Sequence, residues 1–156
     1  MKEYLFLYKE FNNRYYDFMS NSKNSLNYLR AYFSEDYKSY DQDLFVNAIN
    51  FYDSNFIYHD MVNKILYIGS SEWELDENID APSREDFPNY VNETNTCKLN
   101  VDNYLKFSKK WTELKKDLPP FAIIYRDDHD WVDCKGFDSQ EAMELFVKNY
   151  QPETHH

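Results

Sequence analysis

LPPFAIIYRDDHDWVDCKGFD, residues 118–138, is the stretch that decides the fold. Residues 121–126 and 131–135 are short runs rich in β-favouring side chains, and four polar residues at 127–130 separate them. Polar residues such as Asp are suited to tight turns. We therefore predict an antiparallel hairpin whose strands are 121–126 and 131–135.

Helices are predicted on both sides of this hairpin. Apolar residues recur at helical spacing over residues 101–117, and Pro119-Pro120 ends that helix. Asp138, with Glu141 three positions later, resembles a capping arrangement for a last helix over residues 139–150. The residues of this last helix that we expect to face inward are Ala142, Leu145, Phe146 and Tyr150.

The remainder of the chain also alternates between strand and helix patterns. Strands are predicted at 4–9, 55–59 and 64–69, helices at 22–34 and 42–53, and a long loop at 70–96. The sum is an α+β fold, with an antiparallel β-sheet packed with about four helices in a single domain over residues 1–154. His155-His156 resembles the start of a purification tag and carries no functional argument.

Composition excludes several classes of protein. A chain of 156 residues can bury enough surface to form a core without metal or disulfides. Aromatic residues, which make up 19% of the chain, are expected to supply much of that core. The two glycines, Gly69 and Gly136, cannot make a glycine-rich phosphate loop, so we expect no nucleotide cofactor. No apolar run approaches the ~18 residues that span a membrane, and the N-terminus is too charged for a signal peptide. We therefore expect a cytoplasmic protein with free thiols and no membrane partner.

The acidic charge is concentrated in two segments. The chain has 28 Asp and Glu against 17 Lys and Arg, a net charge of −11. Residues 72–86, the first acidic segment, hold seven acids and one arginine, and residues 127–144, the second acidic segment, hold seven acids and one lysine. Each segment therefore carries −6, and the rest of the chain is nearly neutral.

Such clustered charge favours capture of a positively charged partner. Phe87 and Tyr90 lie just beyond the first acidic segment and are predicted as aromatic anchors of the interface. The predicted contact residues of the first segment are Glu72, Trp73, Glu74, Asp76, Glu77, Asp80, Glu85 and Asp86. Those of the second segment are Asp127, Asp128, His129, Asp130 and Asp133. One shared partner surface would require the two segments to meet on the same face.

Three groups of residues were weighed as catalytic candidates. Asp127, Asp128 and His129 are metal-ligand types, but neighbours on a turn point in different directions, so a solvated turn is favoured. His59 and Asp60 are adjacent on a predicted strand and would face opposite ways. A Cys/His nucleophilic pair made from Cys97 or Cys134 stays open, because one sequence does not show which side chains meet. We predict no catalytic residue, no metal and no cofactor.

The predicted helix 101–117 carries five lysines on one side: Lys106, Lys109, Lys110, Lys115 and Lys116. A lysine patch can bind nucleic acid, but a chain of net charge −11 would repel the phosphate backbone at long range. Pairing of the lysines with nearby acids is the simpler interpretation. We predict no nucleic-acid partner.

The small, acidic and aromatic-rich chain, with the stretch 118–127 followed by Gly136-Phe137-Asp138, resembles the immunity proteins of bacterial polymorphic toxin systems, including contact-dependent growth inhibition. The resemblance implies a cytoplasmic protein that binds a cognate toxin domain, often a basic nuclease, and blocks its active site without catalysis. Nuclease clefts are positive because they hold phosphates, and carboxylates can occupy the same field.

Two alternative functions stay open at the level of sequence. A nucleic-acid-mimicking inhibitor from a mobile element would use the same acidic surface against a different partner. A small metal-dependent hydrolase would use Asp127, Asp128, His129 and His59, and it requires these side chains to converge on one ion.

Overall fold

A computed structural model describes residues 1–9, 16–18, 24–33, 47–52, 54–71 and 81–151, with the backbone alone for 16–18 and 52. The strands are β1 (Glu3–Lys9), β2 (Tyr16–Phe18), β3 (Ile49–Tyr52), β4 (Asn55–Asp60), β5 (Ile65–Ser70), β6 (Thr96–Asn100), β7 (Phe121–Arg126) and β8 (Val132–Phe137). The helices are α1 (Leu26–Phe33), α2 (Phe87–Tyr90), α3 (Val101–Asp117) and α4 (Gln140–Lys148).

The strands form two antiparallel sheets in two compact units. Unit 1 comprises Met1–Leu26 and Asp102–His156, and its sheet has the order β2-β1-β7-β8. Unit 2 comprises Asn27–Val101, and its sheet has the order β3-β4-β5-β6. The predicted α+β class, with antiparallel pairing and about four helices, is confirmed, although two sheets replace the one expected. The assignment of residues 1–154 to one domain stays a prediction.

The central strands of unit 1 are apolar on both faces. Leu5 pairs with Ile124 and Leu7 with Ala122, and all four side chains are fully buried on one face. Ile123 and Tyr125 lie on the other face, where they pack with Met143 of α4 in a second cluster. Because successive side chains of a strand point to opposite faces, this apolar alternation is what a sheet covered on both sides requires.

Helix α3 follows the predicted bounds and ends as the sequence indicates. Leu118 takes a left-handed conformation with φ 42°, and Pro119-Pro120 follows it. A Cβ atom on Gly136 of β8 would lie only 2.6 Å from Cγ of Pro119, so this close approach of strand and loop requires glycine. The buried residues of α3 are Asn103, Tyr104, Phe107, Trp111 and Leu114.

Helix α4 corrects part of the prediction for the last helix. Its N-cap is Ser139, whose hydroxyl accepts a hydrogen bond from the Ala142 backbone N–H at 3.1 Å. Met143 is fully buried, whereas Leu145 is 53% exposed and Ala142 is exposed, so the inward orientation predicted for these last two is wrong. The side chains that pack on the sheet lie at i, i+3, i+4 and i+7, namely Met143, Phe146, Val147 and Tyr150.

Unit 2 overturns two further predictions. Residues 49–52 form strand β3, which pairs with β4 through Ile49 and Tyr58, so the helix predicted over 42–53 is wrong there. Residues 42–46 lie outside the described part of the chain. Phe87 of α2 is 1% exposed and packs with Phe56 and Val91 in the core of unit 2, so it is not an exposed interface anchor. The predicted long loop thus contains α2 and ends where β6 begins.

Candidate functional site

The first acidic segment is described only at its C-terminal end. Its predicted contact residues Glu72, Trp73, Glu74, Asp76, Glu77 and Asp80 lie outside the described residues. Glu85 and Asp86 are exposed in unit 2. The Ser83 hydroxyl donates a hydrogen bond of 2.9 Å to Oδ2 of Asp86, which precedes α2. The second acidic segment lies in unit 1.

Asp127 organises the turn between β7 and β8 from the inside. Its side chain is fully buried, and Oδ1 accepts hydrogen bonds from the backbone N–H groups of His129 (2.8 Å) and Trp131 (3.0 Å). The backbone N–H of Asp127 also donates to the Trp131 carbonyl at 2.9 Å. An Asp that bonds to the backbone two residues ahead is a common turn device. This carboxylate therefore holds the hairpin and is not placed on a contact surface.

Asp128 and Asp130 are paired with cations at the start of β1. The α-amino group of Met1 lies 2.5 Å from Oδ1 of Asp128, and Nζ of Lys2 lies 2.6 Å from Oδ1 of Asp130. The hydrogen bond from that amino group is the main cause of a pKa of Asp128 below its usual value. Both carboxylates are half exposed or more. Their charge is thus largely compensated within unit 1, although they can still contact a partner.

Asp133 is also an internal partner. Only 7% of the residue is exposed, and Oδ1 lies 2.7 Å from Nζ of Lys110 on α3. The same oxygen accepts the Cys134 backbone N–H at 2.8 Å, and Oδ2 accepts the Tyr125 hydroxyl at 3.4 Å. Asp133 therefore ties α3 to β8 and, like Asp127, is not placed on a contact surface.

The hairpin carboxylates do not converge on a common point. Asp127 faces the turn interior, Asp128 faces Met1 and Asp130 faces Lys2, while His129 is exposed. Within the ranges that the structure describes, no group of three or more His, Cys, Asp or Glu side chains is placed to hold a metal ion. The convergent ligand set that the hydrolase alternative requires is therefore absent from the described hairpin.

Cys134 and Asp60, two further candidates for catalysis, both serve the fold. Cys134 is fully buried, and burial is the main cause that raises the pKa of its thiol, with the Asp133 carboxylate raising it further. A raised pKa opposes the thiolate that a cysteine nucleophile needs. Asp60 bonds instead to Asn63, whose side-chain amide donates to Oδ2 at 2.8 Å and whose backbone N–H donates to Oδ1 at 3.1 Å. Asp60 therefore organises the β4–β5 turn.

Lysines of α3 are partly occupied by internal contacts, as predicted. Lys106 pairs with Asp102 at 3.2 Å, and its Nζ lies 5.3 Å from the centre of the Trp131 ring. Lys110 pairs with Asp133. These contacts reduce the charge that α3 offers to a phosphate backbone.

Helix α4 and the residue just before its N-cap carry the exposed carboxylates of the second acidic segment that have no internal cation in the described part of the chain. Asp138, Glu141 and Glu144 are exposed, and no ion pair joins them to any cation among the described residues. Glu144 accepts a hydrogen bond of 3.1 Å from the Gln140 side chain. These three acids were absent from the predicted contact residues. The spacing of Glu141, Leu145 and Lys148 on one helical face is a sequence signal that could have indicated an exposed surface, although Leu145 was expected to face inward.

No protein-family model matches this sequence, and neither a curated protein nor a solved structure matches it. In the ranges that the structure describes, no helix has both the length and the apolar character needed to cross a membrane.

Proposed function

We propose that this protein is an immunity protein, which binds a cognate basic toxin domain and neutralises it without catalysis. The observation that carries the proposal is the difference between the two groups of acids in unit 1. Three hairpin carboxylates, Asp128, Asp130 and Asp133, are paired with internal cations. Asp138, just before α4, and Glu141 and Glu144 within it are exposed with no ion pair to a described cation. Charge that folding leaves uncompensated is available to a partner.

The chemistry of a nuclease-type toxin fits such a surface. A nuclease presents Lys and Arg side chains where it holds the phosphates of its substrate. Carboxylates of an inhibitor can meet the same side chains, speed the encounter by electrostatic steering and exclude the substrate. Neither a metal nor a nucleophile of the inhibitor takes part in this action.

The proposed contact surface of unit 1, named here the α4 surface, consists of Asp138, Glu141, Glu144 and Leu145. Asp128, His129 and Asp130 are exposed residues of the hairpin and can contribute weaker contacts. Asp127 and Asp133 are left out because both are buried. The first acidic segment is a second proposed contact region, and its proposal rests on the sequence.

The test is protection of growing cells. The C-terminal domain of the toxin encoded directly upstream would be expressed from an inducible promoter, with and without this protein. Rescue of growth, together with a stoichiometric complex in size-exclusion chromatography, is the expected result. A toxin that kills equally in both strains, or the absence of any toxin gene beside this one, would contradict the proposal.

A further inference from the structure

Leu145 lies where the packing of α4 gives it no place in the core. It is 53% exposed, whereas Met143, two residues earlier, is fully buried. Two residues turn an α-helix by about 200°, so Leu145 lies about 160° around α4 from Met143. A leucine at the outer pole of an amphipathic helix contributes little to the folding of its own chain.

Charged side chains lie close to this leucine along the chain. Glu141 precedes it by four residues and so lies one turn away on the same face, and Glu144 is its immediate neighbour. Asp138 lies just before the helix. Lys148, the one basic residue within α4, follows Leu145 by three residues and lies on the same face. The three acids outnumber the one lysine, and neighbouring residues of this kind can exclude water from an apolar anchor at the centre of an interface.

Helix α4 holds Leu145 in a fixed position before any partner arrives. Phe146 packs edge-on against Tyr125 with ring centres 5.3 Å apart, and Tyr150 packs against the same ring at 5.7 Å. The Ser139 cap fixes the first turn. A preorganised anchor loses little conformational entropy on binding, which favours affinity.

We propose that Leu145 is the central anchor of the toxin interface and inserts into an apolar pocket bordered by Lys and Arg side chains of the toxin domain. This inference rests on the proposed function and adds to it the residue that holds the complex together. Charge complementarity selects this occupant, because Glu141 and Glu144 would meet the basic border of the pocket while Leu145 fills it. Burial of the leucine then slows dissociation, whereas the carboxylates mainly speed association.

Leu105 provides a matched control in the same unit. It is a 37% exposed leucine on α3, but its neighbours Lys106 and Lys109 are exposed lysines. Because Lys106 pairs with Asp102 and Lys109 is basic, that surface offers a basic toxin no excess of carboxylates. The same substitution to alanine can therefore be made at an exposed leucine in acidic and in basic surroundings.

The experiment measures association and dissociation rates for the purified C-terminal domain of the upstream toxin on immobilised wild type, Leu145→Ala and Leu105→Ala. We expect Leu145→Ala to raise the dissociation rate at least about tenfold with little change in the association rate, and Leu105→Ala to match wild type. Equal urea midpoints for the three proteins would confirm that the substitutions leave folding intact.

The outcomes separate this inference from the proposed function. If wild type binds the toxin domain and Leu145→Ala dissociates as slowly as Leu105→Ala, the anchor role is overturned while the proposed function stands. If wild type does not bind the toxin domain, the proposed function fails and the anchor role fails with it.

Discussion

Asp127 shows how an acidic residue can serve the fold in a segment that looks like a charged surface. Its carboxylate accepts two backbone N–H groups of the turn, from His129 and Trp131, and is fully buried. Removing one partner of a buried hydrogen bond costs more than the bond itself contributes, because the other partner is left without water.

Asp127→Ala is therefore expected to lower the free energy of unfolding by about 1–3 kcal/mol. Asp127→Asn keeps one acceptor oxygen and should lose less. Urea denaturation followed by circular dichroism gives both values. An Asp127→Ala protein that unfolds at the wild-type urea concentration would show that the turn does not depend on this carboxylate.

Asp60 gives a prediction on pH. Hydrogen bonds from the Asn63 side chain and backbone are the main causes that lower its pKa from the ordinary value. A carboxyl group with a lower pKa in the folded state stabilises the fold above its unfolded pKa of about 3.9. That contribution is lost as the pH falls through the lower, folded value.

Asn63→Ala should raise the pKa of Asp60 towards the ordinary value, because the largest cause of its lowering is removed. The carboxyl carbon resonance of Asp60, followed by NMR from neutral to acid pH, measures this directly. Identical titration midpoints in wild type and Asn63→Ala would contradict the assigned cause.

At the scale of elements, the outer edge of β8 is closed by side chains of its own unit. The Asn103 side chain of α3 donates to the Val132 carbonyl at 2.7 Å and accepts the Val132 N–H at 2.8 Å. Two residues further along β8, the backbone N–H of Cys134 donates a hydrogen bond to Oδ1 of Asp133. Edge strands with open backbone groups invite pairing with other chains, so these contacts oppose strand addition at Val132 and Cys134.

Asn103→Ala is expected to speed hydrogen exchange at the Val132 amide and to cost about 1–3 kcal/mol for each buried backbone group left without a partner. Exchange is measured by NMR under native conditions. Thr112→Ala is the matched control, because the Thr112 hydroxyl bonds only within α3, to the Ser108 carbonyl at 2.8 Å. Equal protection of Val132 in all three proteins would show that Asn103 does not close this edge.

Elements with strong local signals could be predicted from the sequence, and those set by distant contacts could not. The β7–β8 hairpin and α3 were predicted because their turn, apolar spacing and prolines are all local. Strand β3 was not predicted because its short sequence has a helical spacing of apolar residues. Its strand conformation depends on pairing with β4, which the local sequence does not show. The inward orientation predicted for Leu145 was wrong because Met143, and not Leu145, packs against the sheet.

The candidate site follows the same division. Sequence located the second acidic segment, but it could not show which acids folding neutralises. Asp133 meets Lys110, which lies 23 residues earlier in the chain, and Asp130 meets Lys2 from the other end. Once these ion pairs are known, the exposed carboxylates of the second acidic segment that lack an internal cation among the described residues are Asp138, Glu141 and Glu144, and not those of the hairpin.

At the scale of the whole molecule, a net charge of −11 sets the long-range field, but the uncompensated carboxylates set where a partner docks. In unit 1 the α4 surface holds three of them, whereas Glu113 and Asp117 lie on the lysine-rich helix α3. Attraction between such a surface and a basic protein weakens with salt, because ions screen exposed charges over about 10 Å at 0.1 M. The affinity of binding through the α4 surface should therefore fall as the salt concentration rises, and it should fall when Glu141 and Glu144 lose their charge.

The most direct test is the salt dependence of the affinity for the upstream toxin's C-terminal domain, measured by titration calorimetry at about 50 and about 300 mM NaCl. Wild type is compared with Glu141→Gln/Glu144→Gln and with a control, Glu113→Gln/Asp117→Asn, which removes two exposed acids of α3. We predict that wild type binds one to one and that its affinity falls as salt rises. The fall in affinity should be smaller for Glu141→Gln/Glu144→Gln, and it should equal that of wild type for Glu113→Gln/Asp117→Asn. Absence of binding, or an affinity that neither salt nor the α4 substitutions change, would contradict the account.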